Sequence, residues 1–168
     1  GLFTSIAIGA DNNPIISYWD ATNLDLKVYK CSNTSCSNGT AEILDSTGNV
    51  GSYTSMAISA DTKPIISYYD TTNQDLKVYK CSNTSCSAGT AITLDSSGSV
   101  GPESSIAIGA DNNPIISYYD ATNGALKVYK CYNTSCSNGI AETLDSSGIV
   151  GRDTSIAIGA DNNPIISY

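Results

Sequence analysis

The chain contains no histidine, so acid–base chemistry would fall to its carboxylates, and it needs two of them in unlike settings. Asp20, Asp70 and Asp120 each follow Ser-Tyr-Trp or Ser-Tyr-Tyr, and Asp11, Asp61, Asp111 and Asp161 each open a run of turn-forming residues. A pair that cleaves glycosidic bonds needs one carboxyl raised in pKa and one ionised. Carboxylates that recur at equivalent positions instead share one environment, so they read as turn and capping residues. No serine has a histidine base to activate it. The residues peculiar to one repeat, such as Trp19, Lys63, Glu103, Tyr132 and Arg152, fall at scattered positions and suggest no constellation. The expectation is a non-catalytic protein with no catalytic residue and no cofactor.

Metal chemistry is weighed at two places. Asp11-Asn12-Asn13 offers oxygen ligands but lacks the D-x-D-x-D-G spacing and distal glutamate of a calcium loop. Six cysteines fall as Cys31 and Cys36, Cys81 and Cys86, and Cys131 and Cys136, with four residues between partners each time. Zinc would require four ligands in one place, and lone pairs without histidine do not supply them. Many pairings are open to six cysteines. Repeat symmetry favours the three local disulfides, which imply an oxidising, extracytoplasmic setting. No metal site is expected.

Two further residue classes could bind or be modified. Asn33, Asn83 and Asn133 stand in Asn-Thr-Ser and Asn38 in Asn-Gly-Thr, acceptor sequons for N-glycosylation on an exposed hairpin tip. Tyr18, Trp19 and Tyr29, with Tyr68, Tyr69, Tyr79, Tyr118, Tyr119 and Tyr129, offer flat faces with polar tips. Packing between sheets is the favoured role. Trp19, Tyr69 and Tyr119 are the candidates for stacking on a glycan, where a weak site per unit would gain from multivalency.

The elements that carry these residues repeat every 50 positions. The run from Gly1 to Val50 recurs from Gly51 and Gly101 and begins again at Gly151, and the first and third units agree at 39 of 50 positions. The domain reading is a repeat at 1–50, a second at 51–100, a third at 101–150, and the first two strands of a fourth at 151–168. Inside a unit the apolar signal has period two. Ile6, Ile8 and Ala10 alternate and end at the turn Asp11-Asn12-Asn13-Pro14. Ile15–Trp19 is rich in β-branched and aromatic residues, Leu26–Lys30 alternates again into Cys31, and a fourth strand is expected from Thr40 to Leu44. Four short antiparallel strands per unit, with no helical window, predict an all-β protein built of tandem four-stranded blades of a β-propeller, about 3.4 units in all.

Within each blade, the small residues Ala7, Gly9 and Ala10 place strand one innermost, near the axis. Lys27, Lys30 and Glu42 suggest a wetter outer half, and the disulfide would clamp the hairpin there. Such a small ring is expected to contribute roughly 2 kcal/mol.

Three motifs carry a resemblance: S-[IM]-A-I-[GS]-A-D, P-I-I-S-Y-[YW]-D and L-K-V-Y-K-C, each present in all three full units. They resemble the tandem ISYYDATN and LKV repeats of bacterial β-propeller proteins and, more distantly, the blades of NHL-like propellers. The resemblance covers nearly the whole chain and implies the propeller fold. It implies little about activity, because propellers host enzymes, lectins and passive scaffolds alike.

Composition narrows the partners. Lys and Arg total 8 against 16 for Asp and Glu, a formal charge of -8, which repels a nucleic-acid backbone. No run of eighteen apolar residues is present, so no membrane insertion is expected. The sequence lacks an initiator Met and stops within a unit at Tyr168, which reads as a mature fragment or an excerpt of a longer array, with any targeting signal upstream. The functional expectation is a non-catalytic extracellular scaffold that assembles through blade faces as a surface, matrix or filament component. A lectin-like module with one weak glycan site per blade is the alternative.

Overall fold

The structure, a computed structural model, describes residues 1–168. It is all β, with fourteen strands and no helix. The first sheet comprises β1 (Leu2–Ile8), β2 (Pro14–Asp20), β3 (Asp25–Cys31) and β4 (Gly39–Asp45), paired antiparallel in that order. The second repeats it with β5 (Val50–Ile58), β6 (Pro64–Asp70), β7 (Asp75–Cys81) and β8 (Gly89–Asp95). The third has β9 (Ser105–Ile108), β10 (Pro114–Asp120), β11 (Ala125–Cys131) and β12 (Gly139–Asp145), and β13 (Ser155–Ile158) pairs with β14 (Pro164–Ser167) in a two-stranded sheet.

The hairpins follow from local chemistry. Between β1 and β2 the Asp11 carboxylate accepts from the Asn13 backbone N–H, and Asn12 sits at φ 61°, a left-handed conformation that asparagine tolerates better than most residues. Gly9 N–H donates to Asn13 C=O and accepts in turn from Asn12 N–H. Gly9 and Ala10 therefore belong to the turn, and strand one ends at Ile8 rather than at Ala10. The β2–β3 turn is held by Asp20, whose carboxylate accepts from the backbone N–H groups of Thr22 and Asn23 and from Asn23 Nδ2.

Sheets stack face to face, and the core lies between them. One cluster joins Ile15, Leu26 and Val28 of the first sheet to Val50, Met56, Ile66, Tyr68, Tyr79, Cys81 and Cys86 of the second. A second cluster is the same set moved on by one repeat, from Ile65 to Cys136. The second unit thus buries one face against the first and the other against the third, the arrangement of a one-dimensional repeat array. The β6 strand, with neighbours on both sides, is buried along its whole length.

First strands of neighbouring sheets lie side by side. Met56 N–H donates to Ser5 Oγ, Ile106 N–H to Ser55 Oγ and Ile156 N–H to Ser105 Oγ. The small serines Ser5, Ser55 and Ser105 permit this close approach. The crossing between sheets needs glycine. Gly51 has φ +103°, and a Cβ there would lie 2.7 Å from Leu26 Cα; Gly101 and Gly151 repeat the position.

The lysines depart from expectation. Instead of marking a wet outer half, Lys30, Lys77, Lys80 and Lys127 are buried, at 8–9% exposure. Each is paired with a carboxylate, which is what allows a cation to enter an interface.

Candidate functional site

The cysteines form three local bridges, Cys31–Cys36, Cys81–Cys86 and Cys131–Cys136, with Cα atoms 4.8–4.9 Å apart and no free thiol. Each closes the loop after the third strand of its unit. Cys86 and Cys136 also enter the cores between sheets, so the bridge is packed as well as cross-linked.

The sequon asparagines occupy that loop. Asn33 Oδ1 accepts from Ser37 N–H and Ser35 Oγ, while its Nδ2 donates to Ser37 Oγ at 2.8 Å. Asn83 and Asn133 repeat the bond to Ser87 and Ser137 at 3.0 Å. Their amide nitrogens are therefore committed to the loop. Asn38 is exposed, and its Oδ1 accepts from Gly39 N–H.

The carboxylates expected in turns lie there. The Asn23 side chain and the Thr22 backbone N–H hold the Asp20 carboxyl down at about 2. Asp11 and Asp61 also take Lys30 and Lys80 at 2.7 Å. For Asp61, burial pushes the carboxyl up, but hydrogen bonds from Lys80, Ser59 and Lys63 more than offset it and leave it at about 2. The third unit differs, since Lys130 turns to Glu142 at 2.8 Å.

A third set of aspartates, not singled out by spacing or neighbours in the sequence, does the most structural work. Asp45 ends β4 and reaches across to the next sheet, where Tyr68 Oη donates to it at 2.7 Å and Lys77 Nζ at 2.8 Å. Asp95 does the same with Tyr118 at 2.7 Å and Lys127 at 2.6 Å. Burial pushes both carboxyls up, and the bonds from lysine, Thr47 or Ser97, and tyrosine bring them down to about 2. Burial raises the Tyr68 and Tyr118 phenols far above their ordinary value, and the neighbouring aspartates raise them further. Both tyrosines are fully buried. With the carboxyls held low and the phenols pushed high, this arrangement reads as a latch between sheets.

Trp19, Tyr69 and Tyr119, the candidates for glycan stacking, lie beside the start of strand one. Tyr69 and Tyr119 are only 8% and 6% exposed, and Tyr69 Oη lies 3.0 Å from Ser99 Oγ. Trp19 is half-buried, its ring centroid 6.0 Å from that of Phe3. The indole Nε1 is buried without a partner.

What the stack gathers is a different set. Phe3, Tyr53, Glu103 and Asp153 hold the third position of the successive units and converge on one concavity of about 280 Å³, floored by Thr4, Thr54, Ser104 and Thr154. Phe3 and Tyr53 have ring centroids 4.5 Å apart, and Asp153 N–H donates to Glu103 Oε2 at 2.7 Å. Arg152 is outside its lining, with the guanidinium 5.2 Å from the centre of the Tyr119 ring. The floor is fixed by buried hydroxyl bonds between sheets: Thr54 to Ser17 at 2.7 Å, Ser67 with Ser104 at 3.0 Å, and Thr154 to Ser117 at 2.8 Å.

Of the residues peculiar to one repeat, one enters this concavity and one stands beside its rim. Glu103 lines the concavity, and Trp19 stands next to Phe3, which lines it too. Lys63 and Tyr132 remain apart, Lys63 beside Asp61 at 3.6 Å and Tyr132 largely exposed. A signal was available: the second and third positions read Leu-Phe, Ser-Tyr, Pro-Glu and Arg-Asp, different in every unit, between a constant glycine and a constant Ser5-type serine.

No protein-family profile and no curated protein matches the chain. Among solved structures it is similar to an α-L-arabinofuranosidase from Lactobacillus brevis, at 10% identity and a TM-score of 0.51 over 78% of this chain; the match spans 49% of the arabinofuranosidase. It is also similar to a fucose lectin from Kordia zhangzhouensis at 8% identity and a TM-score of 0.49, over 83% of this chain and 96% of the lectin. At such identities the first likeness is one of fold alone: antiparallel four-stranded sheets in sequence order, stacked face to face.

Proposed function

We propose that the chain is a run of β-propeller blades from an extracellular protein and that it serves as a non-catalytic scaffold, joined to further blades through its end faces. The observation that carries this reading is the Asp45–Tyr68–Lys77 latch and its copy at Asp95, Tyr118 and Lys127. Tyr18 and Lys27 present the tyrosine and lysine on the open face of the first sheet, where no preceding aspartate meets them. At the other end Asp145 takes Tyr168 at 3.0 Å but no lysine.

The apolar surfaces agree. Ile6 is 62% exposed, whereas Met56, Ile106 and Ile156 at the same position are 7% exposed. The open face is therefore the one that every other unit covers with a blade, and a blade of the same repeat is its natural occupant, from this chain's continuation or from another copy. First strands lying side by side near one axis fit a propeller. The disulfides fit an oxidising compartment. Carboxylates committed to turns and latches fit a protein without catalysis.

Particles imaged by negative-stain electron microscopy should be discs with a central depression or stacks of such units, and glycosidase, esterase and lyase substrates should turn over at background rates. Turnover abolished by changing one of Asp20, Asp70 or Asp120 to Asn would overturn the non-catalytic reading, and particles without any ring or repeat would overturn the propeller.

A further inference from the structure

We infer that the concavity at the start of the first strands binds an alkylammonium group, held between the Phe3 and Tyr53 rings and the Glu103 and Asp153 carboxylates. Neither carboxylate of the concavity meets a basic side chain at ion-pair distance. Seven of the eight basic side chains are ion-paired, namely Lys27, Lys30, Lys63, Lys77, Lys80, Lys127 and Lys130. Arg152 is the eighth, and it lies over the Tyr119 ring without a carboxylate partner. Glu103 and Asp153 thus share one concavity without an ion pair to any basic residue of the chain.

The opposite wall is aromatic. Phe3 is 40% exposed and its ring packs on Tyr53 with centroids 4.5 Å apart, leaving aromatic surface beside the two carboxylates. Aromatic faces attract cations, and carboxylates accept charge-assisted hydrogen bonds from N–H donors. A primary ammonium on a short aliphatic stem satisfies both walls at once: the stem lies on the rings and the three N–H groups serve the oxygens. A neutral sugar would stack on the rings but leave two carboxylates uncompensated, and an anion would be repelled.

The sequence adds an independent observation. Positions two and three of the unit change in all four copies, while Ser5, Ile8, Ala10 and Asp11 and their counterparts change little or not at all. Gly51, Gly101 and Gly151 just before them, which the crossing between sheets requires, do not change. Here the stacked units instead set two aromatic residues on one side and two acidic residues on the other. The concavity, at about 280 Å³, is of a size for one side chain or a small diamine.

Titration of the full chain with n-butylamine, followed by NMR amide shifts, tests this. Nα-acetyl-lysine methylamide, cadaverine, methyl β-glucoside and acetate are run in parallel. The amines should give saturable shifts at Tyr53, Glu103 and Asp153 that weaken with added salt, and the glycoside and acetate should not. Glu103→Gln, which can still accept from Asp153 N–H, and Asp153→Asn should each weaken butylamine about tenfold; Phe3→Leu should weaken it about threefold or more. A tighter lysine derivative than cadaverine identifies a peptide lysine as the source of the ammonium, and the reverse a free polyamine; either supports the site. No saturable amine binding, glycoside binding in its place, or full affinity in both acid variants would overturn it. Blade association is read separately by particle mass, so either proposal can fail while the other stands.

Discussion

Tyr68 Oη donates to Asp45 Oδ2 at 2.7 Å across the gap between the first two sheets, and Lys77 Nζ approaches the same oxygen at 2.8 Å. One carboxylate thus accepts from two residues of the neighbouring unit, 23 and 32 positions further along the chain. The three groups are buried, and a buried polar cluster that is fully paired stabilises, whereas one stripped of a member is costly.

The two ways of breaking the latch should therefore differ. Tyr118→Phe removes one donor but leaves Asp95 bonded to Lys127 and Ser97, and is expected to cost about 1–2 kcal/mol. Lys127→Met leaves Asp95 buried beside Asp120 with no cation, and is expected to cost about 3 kcal/mol or more. Urea denaturation of the two variants checks the order. Equal and small losses would mean that the carboxylate is solvated in solution.

Acid should loosen the stack through the same groups. Asp45 and Asp95 stand at about 2, against an ordinary value of 3.8. The unfolded chain takes up these protons first as pH falls, so the latches stabilise fully above pH 3.8 and are lost progressively from there to about pH 2. Asp61, also at about 2, adds to the effect in the same window. Thermal melting between pH 5 and pH 2 should show stability falling mainly below pH 4, with a flatter dependence in Asp95→Asn than in the parent chain.

Much of the architecture was legible. Period-two alternation in Ile6–Ala10 and Leu26–Lys30, with Asp11-Asn12-Asn13-Pro14 and Asp20-Ala21-Thr22-Asn23 as turns, places all four strands of a unit to within a few residues. Local cysteine pairing was legible because every unit carries the same two cysteines close together on one short loop. The lysines were misplaced for a physical reason: a charged residue on an alternating strand reads as solvent-facing, and only the stacking of sheets brings Asp45 over Lys77. The concavity was hidden in the same way. Phe3, Tyr53, Glu103 and Asp153 are 50 residues apart in sequence, and they meet only because the first strands lie side by side.

One turn position carries a residue ill suited to it. Thr62 has φ 67°, where Asn12, Asn112 and Asn162 hold φ 61–66° in the other units. A β-branched side chain is disfavoured in this conformation and asparagine is not. Thr62→Asn should therefore raise stability by roughly 0.5–1 kcal/mol, read as a shift in denaturation midpoint with an unchanged slope. A loss of stability would mean that Thr62 makes contacts outweighing its backbone strain.

Each disulfide closes a ring of six residues, from Cys81 to Cys86 for example, for which chain entropy gives about 2 kcal/mol. Replacing Cys81 and Cys86 together by Ala should cost more than replacing Cys31 and Cys36, because Cys86 is wholly buried between sheets and Cys36 is not. Non-reducing peptide mapping should recover three bridges, each within one unit. A peptide linked across units would contradict this pairing.

The central claim is that a further blade covers the open face of the first sheet, and sedimentation velocity over a range of concentrations tests it most directly. The account predicts reversible association of the chain, weakened by Ile6→Lys, which places a charge where Met56, Ile106 and Ile156 are covered, and unchanged by Tyr132→Ser on the distant disulfide loop. A compact monomer at every concentration, or association indifferent to Ile6→Lys, would contradict it.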